Sequence, residues 1–183
     1  MNYTLFRAIN QLAGNSRLLD YVMVTISKKA RYVYLILLIY LWFRNHAYKK
    51  VTSYAIISLI CAYVLTFFIK IFNYSPRPFL KHSVRLLPPV PSKRNASFPS
   101  KHTTIAFAVA TSVLFYQRSI GFFMWILAML SGFSRIWMGQ HYPSDILGSA
   151  ILGSVIASVV NLVKSTFNPI VNRVLCVCSS YKD

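Results

Sequence analysis

Apolar positions dominate this chain in long runs, and most of its polar positions fall in the gaps between them. A membrane-crossing helix needs about 20 mainly apolar residues. Four runs meet that need: residues 51–72, 103–116 with its neighbours, 119–138 and 146–163. Residues 32–43 are fewer but are bordered by residues that complete a span. Residues 18–27 are too short alone and run into Lys28, Lys29 and Arg31. They read as an interfacial helix, a re-entrant piece or the first part of a long tilted helix. The expected fold is therefore all-α, a polytopic bundle of five to six transmembrane helices in one domain over residues 1–183. At the N-terminus Leu5, Phe6, Ile9, Leu12 and Ala13 recur at helical spacing, with Asn2, Arg7, Asn10 and Gln11 opposite. That pattern predicts an amphipathic helix at the membrane surface. No basic stretch leads straight into an apolar one there, so no signal peptide is expected.

The last run carries Ser149, Gly153 and Ala157, and beside them Ala150, Ser154 and Ser158. Small residues four apart let helix backbones approach closely, so a tight bundle is expected. Trp42, Trp125 and Trp137 fit interfacial belts or packing. The longest polar connector, residues 73–101, holds all but two of the eight prolines together with Arg77, Lys81, Arg85, Lys93, Arg94 and Lys101. Proline without glycine predicts a stiff, extended loop over the mouth of the bundle.

Composition sharpens this picture. The chain is 56% hydrophobic yet carries 20 Lys and Arg against 3 acids, a formal charge of +17. A soluble nucleic-acid binder would gather its cations on polar elements, whereas these sit in short gaps between apolar runs. Membrane lipids are the expected surroundings, and nucleic acid is not an expected partner. Three cysteines make no disulfide framework. Cys61 reads as a packing residue, and Cys176 and Cys178 lack neighbouring ligands for a metal. Basic residues are shared evenly between the two expected faces, so the positive-inside rule assigns no orientation.

Crossing parity then gathers the polar residues. Lys70 ends one run, Ser100 and His102 open the next, and two further crossings return Ser134, Arg135, His141 and Asp145 to the same face. Lys70, Arg77 and Arg135 are cations, and the arginine forks suit phosphate oxygens. Ser100 adds a hydroxyl at a helix N-terminus, where free N–H groups and the dipole favour an anion. Taken singly, such a Lys snorkels and such a Ser caps a helix; their convergence points to a phosphate site. With one acid at the site and no Glu in the chain, a two-metal mechanism lacks ligands, and neither a metal nor a cofactor is expected. His141 precedes Asp145 by four residues, so the carboxylate is expected to fix one ring nitrogen and leave the other free to attack phosphorus. His102 is the candidate to protonate the leaving oxygen. His46 and His82 read as loop residues.

Three blocks carry a resemblance: KIFNYSPRP from Lys70 to Pro78, PSKH from Pro99 to His102, and SRIWMGQHYPSD from Ser134 to Asp145. In order and spacing they resemble the K-x6-R-P, P-S-G-H and S-R-x5-H-x3-D blocks of the type 2 phosphatidic acid phosphatase (PAP2) superfamily. The resemblance implies a metal-free phosphatase in which Lys70, Arg77, Ser100 and Arg135 bind phosphate. It also implies that His102 is the general acid, His141 the phosphorylated nucleophile and Asp145 its orienting partner. Lys101 stands where the family has Gly. Either it strains a backbone contact to phosphate, or its side chain adds a cation useful for a second phosphate. Within the family, the chain looks like the bacterial undecaprenyl-diphosphatases of the BcrC type. That likeness implies an isoprenoid lipid diphosphate substrate, carrier-lipid recycling in cell-wall synthesis, tolerance of bacitracin, and an outward-facing site in the cytoplasmic membrane. A phosphatase for phosphatidylglycerophosphate or phosphatidate is the near rival. An anion channel would need ionisable groups deep in several spans, which the runs lack.

Overall fold

The computed structural model describes residues 2–90 and 96–180, and the side chains of all of these except 170 and 174–180. Lys93, Arg94, Lys182 and the side chains of Cys176 and Cys178 lie outside that description. The described chain is all-helical: α1 (Asn2–Asn10), α2 (Arg17–Arg44), α3 (His46–Phe72), α4 (Pro78–Lys81), α5 (Lys101–Leu114), α6 (Arg118–Trp137), α7 (Pro143–Leu162) and α8 (Lys164–Ser180).

The ambiguous segment at 18–27 and the run at 32–43 form one helix of 28 residues, α2, so the long-helix reading is the one observed. No Gly or Pro interrupts residues 17–44, and nothing in that stretch forces a break at Lys28, Lys29 and Arg31. Ser16 caps its start by accepting the Leu19 N–H, and Asn45 separates it from α3 while capping Tyr48. Among the described residues three helices are long and apolar enough to cross a membrane on their own: α3, α6 and α7. Their outward residues, among them Ile60, Phe67, Phe122, Ile151 and Val155, are exposed apolar side chains suited to lipid.

Helix α5 has only 14 residues, and Thr103, Thr104 and every residue from Ala106 to Val113 are buried. It is the central post, packed against α3, α6 and α7. The small-residue spacing explains how α7 comes so near: Ser149, Gly153 and Ala157 are buried, and a methyl group at Gly153 would lie 2.3 Å from the Thr104 carbonyl oxygen. Hydroxyls stitch the helices together. Ser112 donates to Ser58 at 2.7 Å, Thr111 to Ser154 at 3.3 Å, and Tyr34 to the Met124 carbonyl at 2.5 Å. Where lipid supplies no hydrophobic drive between helices, close packing and such bonds hold the bundle.

The apolar stripe of α1 is largely covered by protein. Phe6 is 1% exposed and packs on Ile136, Ile146, Val84 and Tyr142, while Leu5 and Leu12 stay exposed. Asn10 donates to the carbonyls of Arg85 and Trp137 and accepts the Arg85 N–H, tying α1 to the long connector and the end of α6. Trp137 is buried and donates to Asp20, a packing role at the end of α6. Trp125 packs edge-on against Phe107. Helix α8 had no counterpart among the apolar runs. It docks through Val171 on Tyr54, whose hydroxyl bonds Asn168.

Candidate active site

The turn between α6 and α7 carries the nucleophile candidate. Gly139 has φ +76°, and a side chain there would press on the Arg85 carbonyl and on Asn10, so the turn needs a glycine. It swings His141 under the connector, where the residue is 4% exposed. Its Nε2 lies 3.4 Å from Arg77 Nη1, which also donates to the Gln140 carbonyl at 3.3 Å. A guanidinium can only donate, so Nε2 carries the lone pair and Nδ1 the proton.

The Nδ1 side corrects one expectation. Asp145 does not bond the ring directly: its Oδ2 stands 3.9 Å from Nδ1, beyond hydrogen-bond range. As the third residue of α7 it is held back by the Tyr142 N–H, which donates to Oδ2 at 3.0 Å. Ser97 fills the gap. Its hydroxyl donates to Asp145 Oδ2 at 2.5 Å and sits 3.5 Å from His141 Nδ1. Burial draws the His141 imidazole down to about 4; Arg77 and Lys70 also push it down, against the pull of Asp145. Above that range the ring is neutral, the form a nucleophile requires.

The cations assemble as parity requires. Lys70 donates to the Ala96 carbonyl at 3.0 Å, which pins the connector to the end of α3. Arg77 and Arg135 are 5% and 9% exposed, so their charge acts in a shielded site. Arg135 donates through Nη1 to Gln140 Oε1 at 2.7 Å and approaches the Ser27 carbonyl through Nη2 at 3.5 Å, while its buried Nε has no partner. Gln140, fully buried, anchors itself by donating to the Pro89 carbonyl at 2.8 Å.

The second block is partly committed to packing. The Ser100 N–H donates to Ser149 Oγ at 2.7 Å, and its hydroxyl pairs with Thr103 Oγ1 at 3.0 Å. The N–H expected to be free at Ser100 is thus taken up by the close approach of α7. Lys101 opens α5, and no described non-glycine residue has a positive φ, so the conformational penalty weighed for Lys101 does not arise. Its ammonium lies 4.2 Å over the Tyr63 ring. His102 is open on one side, to an apolar groove.

Ser97 and Gln140 were missed from the sequence. Ser97 stands two residues before Pro99, and Gln140 adjoins His141, so nearness to the blocks was the one local signal for either. His46 and His82 stay outside the site; His82 stacks on Tyr3.

The site thus holds a buried imidazole whose lone pair faces Arg77, with Lys70 near it and Arg135 bonded to the adjoining Gln140, a cationic setting suited to an anion. The family model of the PAP2 superfamily matches residues 51–169, and the chain belongs to that superfamily. Over 176 residues it is 39% identical to undecaprenyl-diphosphatase BcrC of Bacillus subtilis, covering 96% of this chain and 90% of that protein. Its fold is similar to that of Aquifex aeolicus LpxE, with a TM-score of 0.73 and 31% identity over 87% of this chain and 93% of the other. A transmembrane PAP2-type phosphatidylglycerolphosphate phosphatase from Bacillus subtilis shares the fold at a TM-score of 0.68 and 19% identity, over 90% and 86% of the two chains. The chain is an integral membrane enzyme of the lipid phosphatase class.

Proposed function

We propose that this protein is an undecaprenyl-diphosphatase that removes the terminal phosphate of the carrier lipid through a phosphohistidine, without a metal. It acts as a single domain in the bacterial cytoplasmic membrane, with α2 and α5 completing a five-span bundle and the site on the outer side. The recycled monophosphate would supply cell-wall synthesis, and bacitracin tolerance would follow from activity on the lipid that the antibiotic sequesters.

The observation that carries the mechanism is the His141 arrangement, with Nδ1 facing Ser97 and Asp145 and Nε2 facing Arg77. Lys70, Arg77, Ser100 and Arg135 surround the terminal phosphate, and Lys101 stands at the mouth for a second one. Nε2 forms a bond to phosphorus as the bridging P–O bond breaks. The electron pair leaves on the bridging oxygen of the lipid phosphate, which takes the proton of His102. Asp145, through Ser97, balances the charge that develops on the His141 ring. Water then attacks phosphorus, its proton passes to His102, and the P–N bond opens to release phosphate. Two features support the substrate: the 39% identity to a named undecaprenyl-diphosphatase and the apolar groove beside His102.

The test measures phosphate release by the purified protein from undecaprenyl diphosphate, phosphatidylglycerophosphate and phosphatidate, with EDTA present. Preference for the isoprenoid diphosphate, unchanged by chelator and abolished in His141→Ala, is the expected result. Preference for either glycerolipid would reassign the substrate, and most activity surviving in His141→Ala would remove the nucleophile.

A further inference from the structure

Helix α2 contributed nothing to the site read from the sequence, yet it reaches it. The Ser27 carbonyl faces Arg135, and Ser27 Oγ is buried without a hydrogen-bond partner. One turn further along, Arg31 lies on the same face. Ser27, Arg31, Lys101 and His102 together form the polar end of a groove of about 370 Å³ between α2, α3 and α5. Beyond them the lining turns apolar, with Leu38, Leu59 and Val109. Polarity therefore changes along both α2 and α5 in the same direction, from cations to hydrocarbon.

The two groove cations are available for an anion. Arg31 stacks 4.9 Å over Tyr32 and donates to that hydroxyl at 3.1 Å, and Lys101 rests over Tyr63. Among the described residues neither pairs with a carboxylate. Both are exposed. From Arg77 and His141 the contacts run through Gln140 and Arg135 to Ser27, and the groove then sets His102 with Arg31 and Lys101 ahead of its apolar wall. A lipid diphosphate has the same order: the phosphate attacked, the bridging oxygen protonated, a second phosphate, then the tail.

We propose that Arg31, with Ser27 and Lys101, binds the phosphate that stays on the lipid, so that this groove selects diphosphates over monophosphates and leads the first part of the tail between α2 and α5. The inference rests on the phosphatase reading above and adds a specificity subsite supplied by α2. Arg31 would bind substrate and leaving group alike, so its loss should weaken binding more than turnover.

The experiment compares phosphate release from two lipids with the same prenyl tail, one a diphosphate and one a monophosphate, using the purified full chain in detergent. Among the described residues Arg31 has no carboxylate partner and is exposed, so Arg31→Gln costs the fold only its contact with Tyr32. The variant is expected to raise KM for the diphosphate and lower its kcat/KM about tenfold or more, the scale of one lost charge-assisted hydrogen bond. On the monophosphate, kcat/KM should move by less than about twofold, since that lipid brings no second phosphate to the groove. Arg31→Lys should recover part of the loss, and Ser27→Ala should repeat it more weakly. Equal losses on both lipids, or none on either, overturn the inference. If the monophosphate is not turned over, an unchanged KM for the diphosphate in Arg31→Gln overturns it. Wild-type protein that releases nothing from the diphosphate would instead overturn the function proposed above.

Discussion

Replacing Ser97 by Ala tests the part of the site that departs most from the expected direct histidine–aspartate pair. Ser97 is fully buried, its Oγ is 2.5 Å from Asp145 Oδ2 and 3.5 Å from His141 Nδ1, and the direct approach of ring and carboxylate is 3.9 Å. Removing the hydroxyl deletes one charge-assisted hydrogen bond, about 1.5–3 kcal/mol, and leaves Asp145 the Tyr142 N–H. If that energy holds the ring and its developing charge in the transition state, kcat/KM falls on the order of tenfold to a hundredfold, mostly in kcat. The assay is steady-state phosphate release for wild type, Ser97→Ala, Asp145→Asn and the double variant. Because serine and aspartate act on the ring as one unit, the double variant should lose little more than Asp145→Asn alone. A Ser97→Ala variant within twofold of wild type, or losses that multiply independently, would refute the bridging role. Thermal unfolding run alongside separates this from simple destabilisation, since a positioning residue shifts kcat further than its lost stability can explain.

Other consequences can be measured as directly. His102→Ala should slow turnover least for a phosphate ester whose leaving group needs no proton; equal losses on good and poor leaving groups would remove the acid role. Burial lowers His141 to about 4 against an ordinary value of about 6.5, so between those limits the unfolded chain binds the extra proton. Stability should therefore fall as pH drops from 6.5 towards 4, while the folded His141 ring stays neutral across that window. A ring-nitrogen NMR signal from His141 that titrates near 6.5 would contradict this. Gly153→Val should loosen α5 from α7 and destabilise by about 1–3 kcal/mol, because even a methyl there meets the Thr104 carbonyl at 2.3 Å. An unchanged melting temperature in detergent would argue against that close approach.

How much of this was legible in the chain itself follows from range. Hydrophobic runs are local, so α3, α6 and α7 could be read at once, and parity then brought Lys70, His102, Arg135, His141 and Asp145 to one end of the bundle without any coordinates. Spacing by four told that α7 would pack closely, through Ser149, Gly153 and Ala157. The continuity of α2 was only one of three readings, because cations interrupt its apolar pattern while nothing in its backbone does.

Other features depended on tertiary packing. Ser97 and Gln140 are ordinary polar residues whose meaning comes from partners on other elements: Asp145 at the start of α7, and the Pro89 carbonyl in the connector. Ser27 and Arg31 lie more than 70 positions before His102, and only the packing of α2 on α3 and α6 sets them across the groove from it. Local sequence writes the periodicity of each helix and the chemistry of each block. Which hydroxyl fills a 3.9 Å gap, and which cation shares a groove with His102, is set by the angles and depths at which the helices come to rest against one another.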